Sequence, residues 1–358
     1  MSEVKIKNRI PYIDALKGFA IILVVLGHVC NGYVFSMVNN RAIWISRNIY
    51  NVIYTFHMPL FMVISGYVFV KAYVDDSLKL NWRKMLRHIA NLLVVYIIFS
   101  LLHGTIKLFY NDIVTVTISP KDLLMIWKHT IAPYWYLYIL IAFYLVFGLL
   151  NHFRINPLVY TLIFIPINIL SVKLTYVDDF ELYRISYYGV FFSIGTLISY
   201  FGDGRKLKSV DKRSIIINIL SVIALICGIM LIYCSWSDAE YIYQMPYRNA
   251  LIAVLLIPSC FTVFRIIGFN YKKSLLRYLG KHSLEIYVLH IMFTAMIRYI
   301  LMTAKVESVL ICLIFGTLVG IVFPLVTVKL MEVLWVKKWI FTPFSAVATK
   351  ENNDKGIN

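Results

Sequence analysis

The stretch PYIDALKGFAIILVVLGHVCNGYV, residues 11–34, decides how the rest of the chain is read. It is apolar over a length that spans a bilayer, yet it carries Asp14, Lys17 and His28. Ionisable groups in hydrocarbon are costly and face a protein interior or a wet cavity. Lys17 and His28 are eleven residues apart. That is about three whole helical turns, so both side chains leave on one side, ~16 Å apart along the axis. Asp14 lies three residues before Lys17 on the same side. The segment reads as a membrane-spanning helix with one polar stripe, basic near one end and imidazole-bearing near the other.

The rest of the chain has the same character. Hydrophobic residues make up 60% of the 358 and charged residues 15%, more apolar surface than a soluble domain needs. The apolar residues come in continuous runs of bilayer-spanning length without period-two alternation, which excludes a barrel. Ten such runs fall near 12–34, 49–71, 89–110, 133–150, 157–173, 184–201, 214–235, 247–267, 283–303 and 308–331. The fold class expected is all-α: a polytopic membrane bundle of about ten transmembrane helices. With the N-terminus inside, 25 of the 35 basic residues fall on the inner segments. By the positive-inside rule both termini are then cytoplasmic. The net charge of +17 is thus an orientation signal and a source of contact with anionic membrane lipids, not a sign of nucleic acid.

The first run lacks a cleavage site and carries Lys17 and His28, so no cleavable signal peptide is expected. Residues 1–340 are expected to form the membrane domain and 341–358 a polar, disordered cytoplasmic tail, with no fused soluble domain. The five cysteines show neither metal-ligand nor redox spacing; no metal and no bound cofactor are expected. Asn81 is placed to cap the third long helix. Ser119-Pro120-Lys121-Asp122 is a helix-start signal, and 119–130 reads as a short helix lying in the outer interface. Acids gather in outer loops at Asp178, Asp179 and Glu181, and at Asp238 and Glu240.

Several residues carry potential chemistry. His28 and His57 sit at matching depth on consecutive antiparallel helices. Imidazole can take or give a proton near neutrality; the plainer account is that each bonds a neighbouring helix and packs. Pro59 leaves the Thr55 carbonyl without its helical donor, beside His57. Lys17 is placed to attract a phosphate-bearing ligand from the cytoplasm, and Arg83 and Arg87, an i, i+4 pair, to clamp one. Snorkelling, an Asp14–Lys17 pair and topogenic charge are the alternatives. Ser65-Gly66 suits close helix packing. Tyr134-Trp135-Tyr136 suits an aromatic belt or sugar stacking. Glu285 and His290 on the ninth long helix, Arg298 beyond them, and His103 and Lys107 on the third suggest a shared polar interior.

These residues resemble the integral-membrane acyltransferase type 3 family, many of whose members O-acetylate cell-surface sugars. The similarity is carried by Asp14, Lys17-Gly18 and His28; by Phe61-x-x-x-Ser65-Gly66-Tyr67; by Trp135-Tyr136-Leu137; and by Ser283-Leu284-x-Ile286-Tyr287-x-x-His290. It covers about residues 10–335. The family's usual base before the glycine is Arg, where this chain has Lys17, a point charge and not a bidentate fork. The resemblance implies a ten-helix bundle that moves an acyl group from cytoplasmic acyl-CoA, as co-substrate, to a hydroxyl of an extracytoplasmic saccharide.

The expected activity is therefore an acetyl-CoA-dependent O-acetyltransferase of the bacterial cytoplasmic membrane. His28, Lys17 and Asp14 form its catalytic stripe, with Lys17, Arg83 and Arg87 toward the donor. His57, Trp135, Tyr136, Glu285 and His290 serve acceptor binding or positioning. An acyl-histidine intermediate is chemically open as well, and a homo-oligomer is compatible with the apolar surfaces. The alternative from another class is a polytopic transporter or flippase of a glycan or lipid, which the polar interior also allows.

Overall fold

The computed structural model describes residues 10–34, 40–75, 79–110, 117–174, 179–202, 212–234, 246–268 and 274–344. Its helices in chain order are α1 (Pro11–Val34), α2 (Asn40–Tyr73), α3 (Trp82–Phe109), α4 (Pro120–Leu124), α5 (Trp135–His152), α6 (Pro157–Leu170), α7 (Leu182–Gly202), α8 (Lys212–Cys234), α9 (Pro246–Ile267), α10 (Leu275–Lys281), α11 (Ser283–Thr303), α12 (Val309–Val333) and α13 (Lys337–Phe341). Each of the ten apolar runs coincides with a long helix. Among the described residues eight helices are long and apolar enough to cross a membrane by length and composition. The chain is a helical, multi-pass membrane protein. The short helices α4, α10 and α13 join the long ones.

One boundary moves outward from that read in the sequence: α2 begins at Asn40. α3 begins at Trp82, with the basic cluster 82–88 in its first turns, as the Asn81 cap implied. The Asn81 side chain caps α3 by accepting from the Lys84 N–H at 3.0 Å.

The 119–130 stretch departs further from expectation. Ser119 and Asp122 form a capping box, in which Asp122 Oδ2 accepts from the Ser119 N–H at 2.7 Å and from its hydroxyl at 2.8 Å. These bonds hold the Asp122 carboxyl below its ordinary range. Yet the helix closes after Leu124: the Met125 carbonyl still accepts from the Lys128 and His129 N–H groups, but the carbonyls beyond it are taken by donors from elsewhere. Tyr96 Oη donates to Ile126 O at 2.5 Å, Tyr138 Oη to Trp127 O at 3.0 Å, and the Phe180 N–H to Lys128 O at 2.9 Å. A carbonyl so engaged is drawn off the helical path. Of the acids expected in outer loops, Glu181 is buried, accepting from the Thr130 hydroxyl at 2.5 Å and pairing with Arg184, and Asp179 pairs with Lys128 at 2.9 Å. Asp178, Asp238 and Glu240 lie outside the described residues.

The chain divides into two compact units, Met1–Ile64 with Lys206–Leu325, and Ser65–Arg205 with Val326–Asn358. The first is built around α1. Gly18 and Gly280 let α1 and α10 touch backbone to backbone. A Cβ on Gly18 would lie 1.9 Å from Leu276 O, and one on Gly280 1.7 Å from Asp14 O. α12 meets the same helix with glycines: a Cβ on Gly316 would lie 2.7 Å from Val29 Cγ1, and one on Gly320 2.7 Å from Val25 Cγ1 and 2.6 Å from Thr294 Cγ2 of α11. Small residues replace a hydrophobic driving force that helices in lipid lack. α9 joins through Phe19 and Phe264, ring centroids 5.6 Å apart. It is tied to α8 by the Ser221–Thr262 hydroxyl pair at 2.9 Å and by the Ser259 hydroxyl donating to Ser221 O at 2.6 Å.

The second unit has an aromatic core. Phe143, Phe147 and Phe192 are fully buried and in ring contact, with Phe69 and Tyr144 beside Phe192. Gly66 admits the backbone of α7, since a Cβ there would lie 2.0 Å from Phe192 O. The end of the described chain belongs to this unit as well. Phe341 is buried against Phe99, and the Phe344 N–H donates to Asn91 Oδ1 at 3.1 Å. The rest of the tail, from 345, lies outside the described residues.

The glycine contacts make a paired prediction. Gly18→Val drives a side chain into a backbone carbonyl, and overpacking of this kind costs about 1–3 kcal/mol or more. Gly32→Ala meets only the end of the flexible Arg298 side chain, with Nη1 at 2.3 Å. The thermal midpoint in detergent is expected to fall markedly for Gly18→Val and to stay near wild type for Gly32→Ala. Equal losses would contradict the backbone contact.

Candidate active site

The residues of the polar stripe and its neighbours belong to the first unit. Asp14 is 7% exposed, and its Oδ2 is buried without a hydrogen-bond partner. It lies where α10 crosses the first turns of α1, so Arg277 and Lys281 of α10 flank the backbone contacts at Leu276 and Gly280. Lys17, in the same turns, is half-buried.

Three turns along, His28 is half-buried and lies among other rings. The His290 ring of α11 lies 5.1 Å away, centroid to centroid, and the Tyr54 ring of α2 lies 6.2 Å away, edge-on. Tyr54 in turn meets His57 edge-on at 4.6 Å and Tyr50 at 3.9 Å. Gly27 makes room for this, because a Cβ there would lie 2.9 Å from Tyr54 Cε2. The two histidines expected at matching depth, His28 and His57, are thus bridged by Tyr54. Sequence reasoning passed over Tyr54. Its signal was the Tyr50, Tyr54, His57 spacing of i, i+4, i+7, one face of a helix.

Chemistry separates the three imidazoles. His57 is 1% exposed and His290 0%. His57 Nδ1 is 2.8 Å from Ile53 O; His290 Nδ1 is 2.7 Å from Tyr287 O and 3.2 Å from Ile286 O. A carbonyl only accepts, so Nδ1 donates in both rings and Nε2 keeps its lone pair. His28 is half-buried, where His57 and His290 are enclosed.

Glu285 opens α11 and is 9% exposed. Its Oε1 is 3.6 Å from His282 Nδ1, so it faces the α10–α11 junction. His282 was a residue that sequence reasoning did not select. Further along α11, Arg298 lays its guanidinium over Gly32, one turn beyond His28.

The remaining candidates belong to the second unit. Arg83 and Arg87 are exposed on the first turns of α3. His103 is buried, edge-on to Tyr134 at 5.7 Å, and Lys107 is half-buried. Trp135 stacks on Tyr188 at 5.3 Å and carries the Arg184 guanidinium 5.0 Å from its ring. Tyr136 turns inward, 8% exposed, with its hydroxyl 2.8 Å from Ser65 Oγ. Among the described residues no group of three or more His, Cys, Asp or Glu is placed to hold a metal ion.

Comparison with known proteins adds to this geometry. Residues 10–328 match the family model of an acyltransferase domain. The chain is 28% identical over 246 residues to Nodulation protein NolL of Sinorhizobium fredii, covering 66% of this chain and 60% of that protein. A shorter match, 43% over 61 residues, covers 17% of this chain and 16% of Nodulation protein NolL of Mesorhizobium japonicum. The chain thus spans less than two thirds of each relative's length. No solved structure matches.

The Ser65–Tyr136 bond ties α2 to α5 and gives a prediction of its own. Tyr136→Phe removes the hydroxyl bonded to the half-buried Ser65, and loss of one such hydrogen bond costs about 0.5–1.5 kcal/mol. A lower thermal midpoint in detergent than wild type is expected, partly restored when Ser65→Ala is added. No recovery in the double variant would show that the bond is not what stabilises.

Proposed function

The chain belongs, over residues 10–328, to the acyltransferase-domain family, the integral-membrane acyltransferase type 3 family, and from that premise we propose that it is a membrane O-acetyltransferase. It takes the acetyl group of acetyl-CoA arriving from the cytoplasm and passes it to a hydroxyl of an extracytoplasmic saccharide such as O-antigen, capsule or exopolysaccharide. Membership in an acyltransferase family removes the ground for the transporter reading. The observation that carries the proposal is the placement of His28. It is an accessible imidazole deep in an apolar helix, walled by His290 and Tyr54.

In this reading the acceptor oxygen attacks the thioester carbonyl while His28 takes the hydroxyl proton. The tetrahedral intermediate collapses with cleavage of the carbon–sulfur bond. The proton held on His28 passes to the departing thiolate, leaving an acetyl ester and free coenzyme A. A positioned general base contributes about 10²–10⁴-fold.

Lys17, at the other end of the stripe, serves the donor phosphates as a point charge, and Arg83 and Arg87 add exposed guanidinium groups. Asp14 sits beside Lys17 and keeps an acceptor oxygen available. On the acceptor side Trp135, with its stacked Tyr188 and Arg184, is the aromatic surface for a sugar ring. His57 backs Tyr54 against His28, and Glu285 holds the α10–α11 junction. In this reading the basic bias of alternate segments gives both termini a cytoplasmic side, and the membrane is the inner membrane of a bacterium.

The test is the O-acetyl content of surface glycan in cells lacking the protein, complemented with wild type, His28→Ala or His28→Gln at matched membrane levels. Wild type is expected to restore ester and both variants to fall at least 100-fold short. Variants that restore ester as well as wild type would remove His28 from the chemistry. No acetylation with any version would remove the saccharide acetyltransferase reading itself.

A further inference from the structure

His290 has a feature that packing does not explain. Its ring is 0% exposed, and its Nδ1–H is spent on the carbonyls of Tyr287 and Ile286. That assignment leaves Nε2 as a bare acceptor, and Nε2 is buried with no hydrogen-bond partner. A buried acceptor left unsatisfied costs about 1–3 kcal/mol, so a group of this kind calls for an explanation. The His28 ring lies beside it, centroids 5.1 Å apart and planes 52° to one another. At that separation a nitrogen of each ring, turned toward the other, comes within hydrogen-bond reach.

We infer that His290 is the positioning residue of His28: its Nε2 accepts a hydrogen bond from one N–H of His28 and so presents the other His28 nitrogen, unprotonated, to the acceptor hydroxyl. This rests on the proposed role of His28 as base. An imidazole has two tautomers, and only one puts the lone pair toward substrate. A fixed acceptor on the far side selects it, as the orienting group of a catalytic triad does. When His28 takes the hydroxyl proton it becomes an imidazolium with two N–H groups. One stays on His290 Nε2 and the other delivers its proton to the thiolate, so His290 gains and loses no proton.

The bilayer setting accounts for the choice of orienting group. A carboxylate in this position would be a second buried ion, with the desolvation penalty that carries. A neutral imidazole, locked by two backbone carbonyls of its own helix, supplies an acceptor without a charge. The nearest acid on α11, Glu285, lies five residues earlier, about one and a half turns away, and is engaged near His282. Of the other two rings near His28, Tyr54 presents an edge at 6.2 Å, and His57 lies behind Tyr54.

The two amide isosteres of histidine separate a positioning role from a structural one. In His290→Asn the amide nitrogen stands where Nδ1 was, so the bond to Tyr287 survives and the distal acceptor is lost. In His290→Gln the amide oxygen reaches the place of Nε2. The full chain, in membranes of cells deleted for it, is given radiolabelled acetyl-CoA, with the endogenous membrane glycan as acceptor. Label in ester, kcat and KM for acetyl-CoA are read at matched protein levels and matched thermal midpoints.

Loss of an outer-shell orienting partner costs 10–100-fold in comparable sites. The expected result is that His290→Asn lowers kcat by about 10–100-fold with KM for acetyl-CoA unchanged, and that His290→Gln recovers at least tenfold over His290→Asn. An Asn variant as active as wild type, or Asn and Gln variants equally impaired, would overturn the inference while leaving the acetyltransferase reading intact. A wild-type protein that transfers no label would overturn both, and is distinguished by its silence in the control.

Discussion

The contact on which the first unit depends is the meeting of two glycines. At Gly18 and Gly280 the backbones of α1 and α10 approach so closely that no side chain fits between them. That contact sets the register of everything that follows α10. His282 is the only residue between α10 and α11, so α11 is delivered alongside α1 from a fixed starting point. Ten residues beyond Gly280, His290 arrives at His28, and eight further on Arg298 arrives at Gly32. Correspondences that rise together in this way show that α1 and α11 run in the same direction. α12 completes the grip with Gly316 and Gly320.

Burial of polar groups is managed locally wherever it can be. His57 and His290 donate to carbonyls of their own helices, three or four residues back, and so do many of the serine and threonine hydroxyls. Such bonds need no partner helix and survive small shifts between helices. Other bonds join one helix to the next: Ser65 to Tyr136, Tyr160 to Thr196, Asn168 to the Tyr187 carbonyl. In hydrocarbon each of these replaces an otherwise unsatisfied group.

The ten apolar runs were legible because bilayer thickness imposes a length and a composition on any spanning helix. The stripe of Asp14, Lys17 and His28 was legible because periodicity alone sets which residues share a face. Periodicity does not say which helix will face that stripe. The His28–His290 juxtaposition joins residues 262 positions apart through the α1–α10 contact, and nothing local to either segment encodes it. The stretch 119–130 misled for a similar reason. Its residues favour helix, but the donors that capture its carbonyls come from Tyr96, Tyr138 and the Phe180 amide. Tyr136 was read together with its neighbours, for a belt or for sugar stacking, whereas adjacent residues on a helix point about 100° apart. Trp135 and Tyr136 accordingly have different surroundings.

The glycine face of α12 also has an evolutionary consequence. The helix presents Gly316 and Gly320 to α1, while Leu310, Ile314, Leu318 and Val322 on its other side are exposed. Against lipid tails one aliphatic side chain serves as well as another, so that side is free to exchange Leu, Ile, Val and Phe over generations. On the glycine side even a single methyl is excluded. Two nearly invariant positions one turn apart, set in a freely drifting hydrophobic segment, are therefore the pattern that descent should leave in α12.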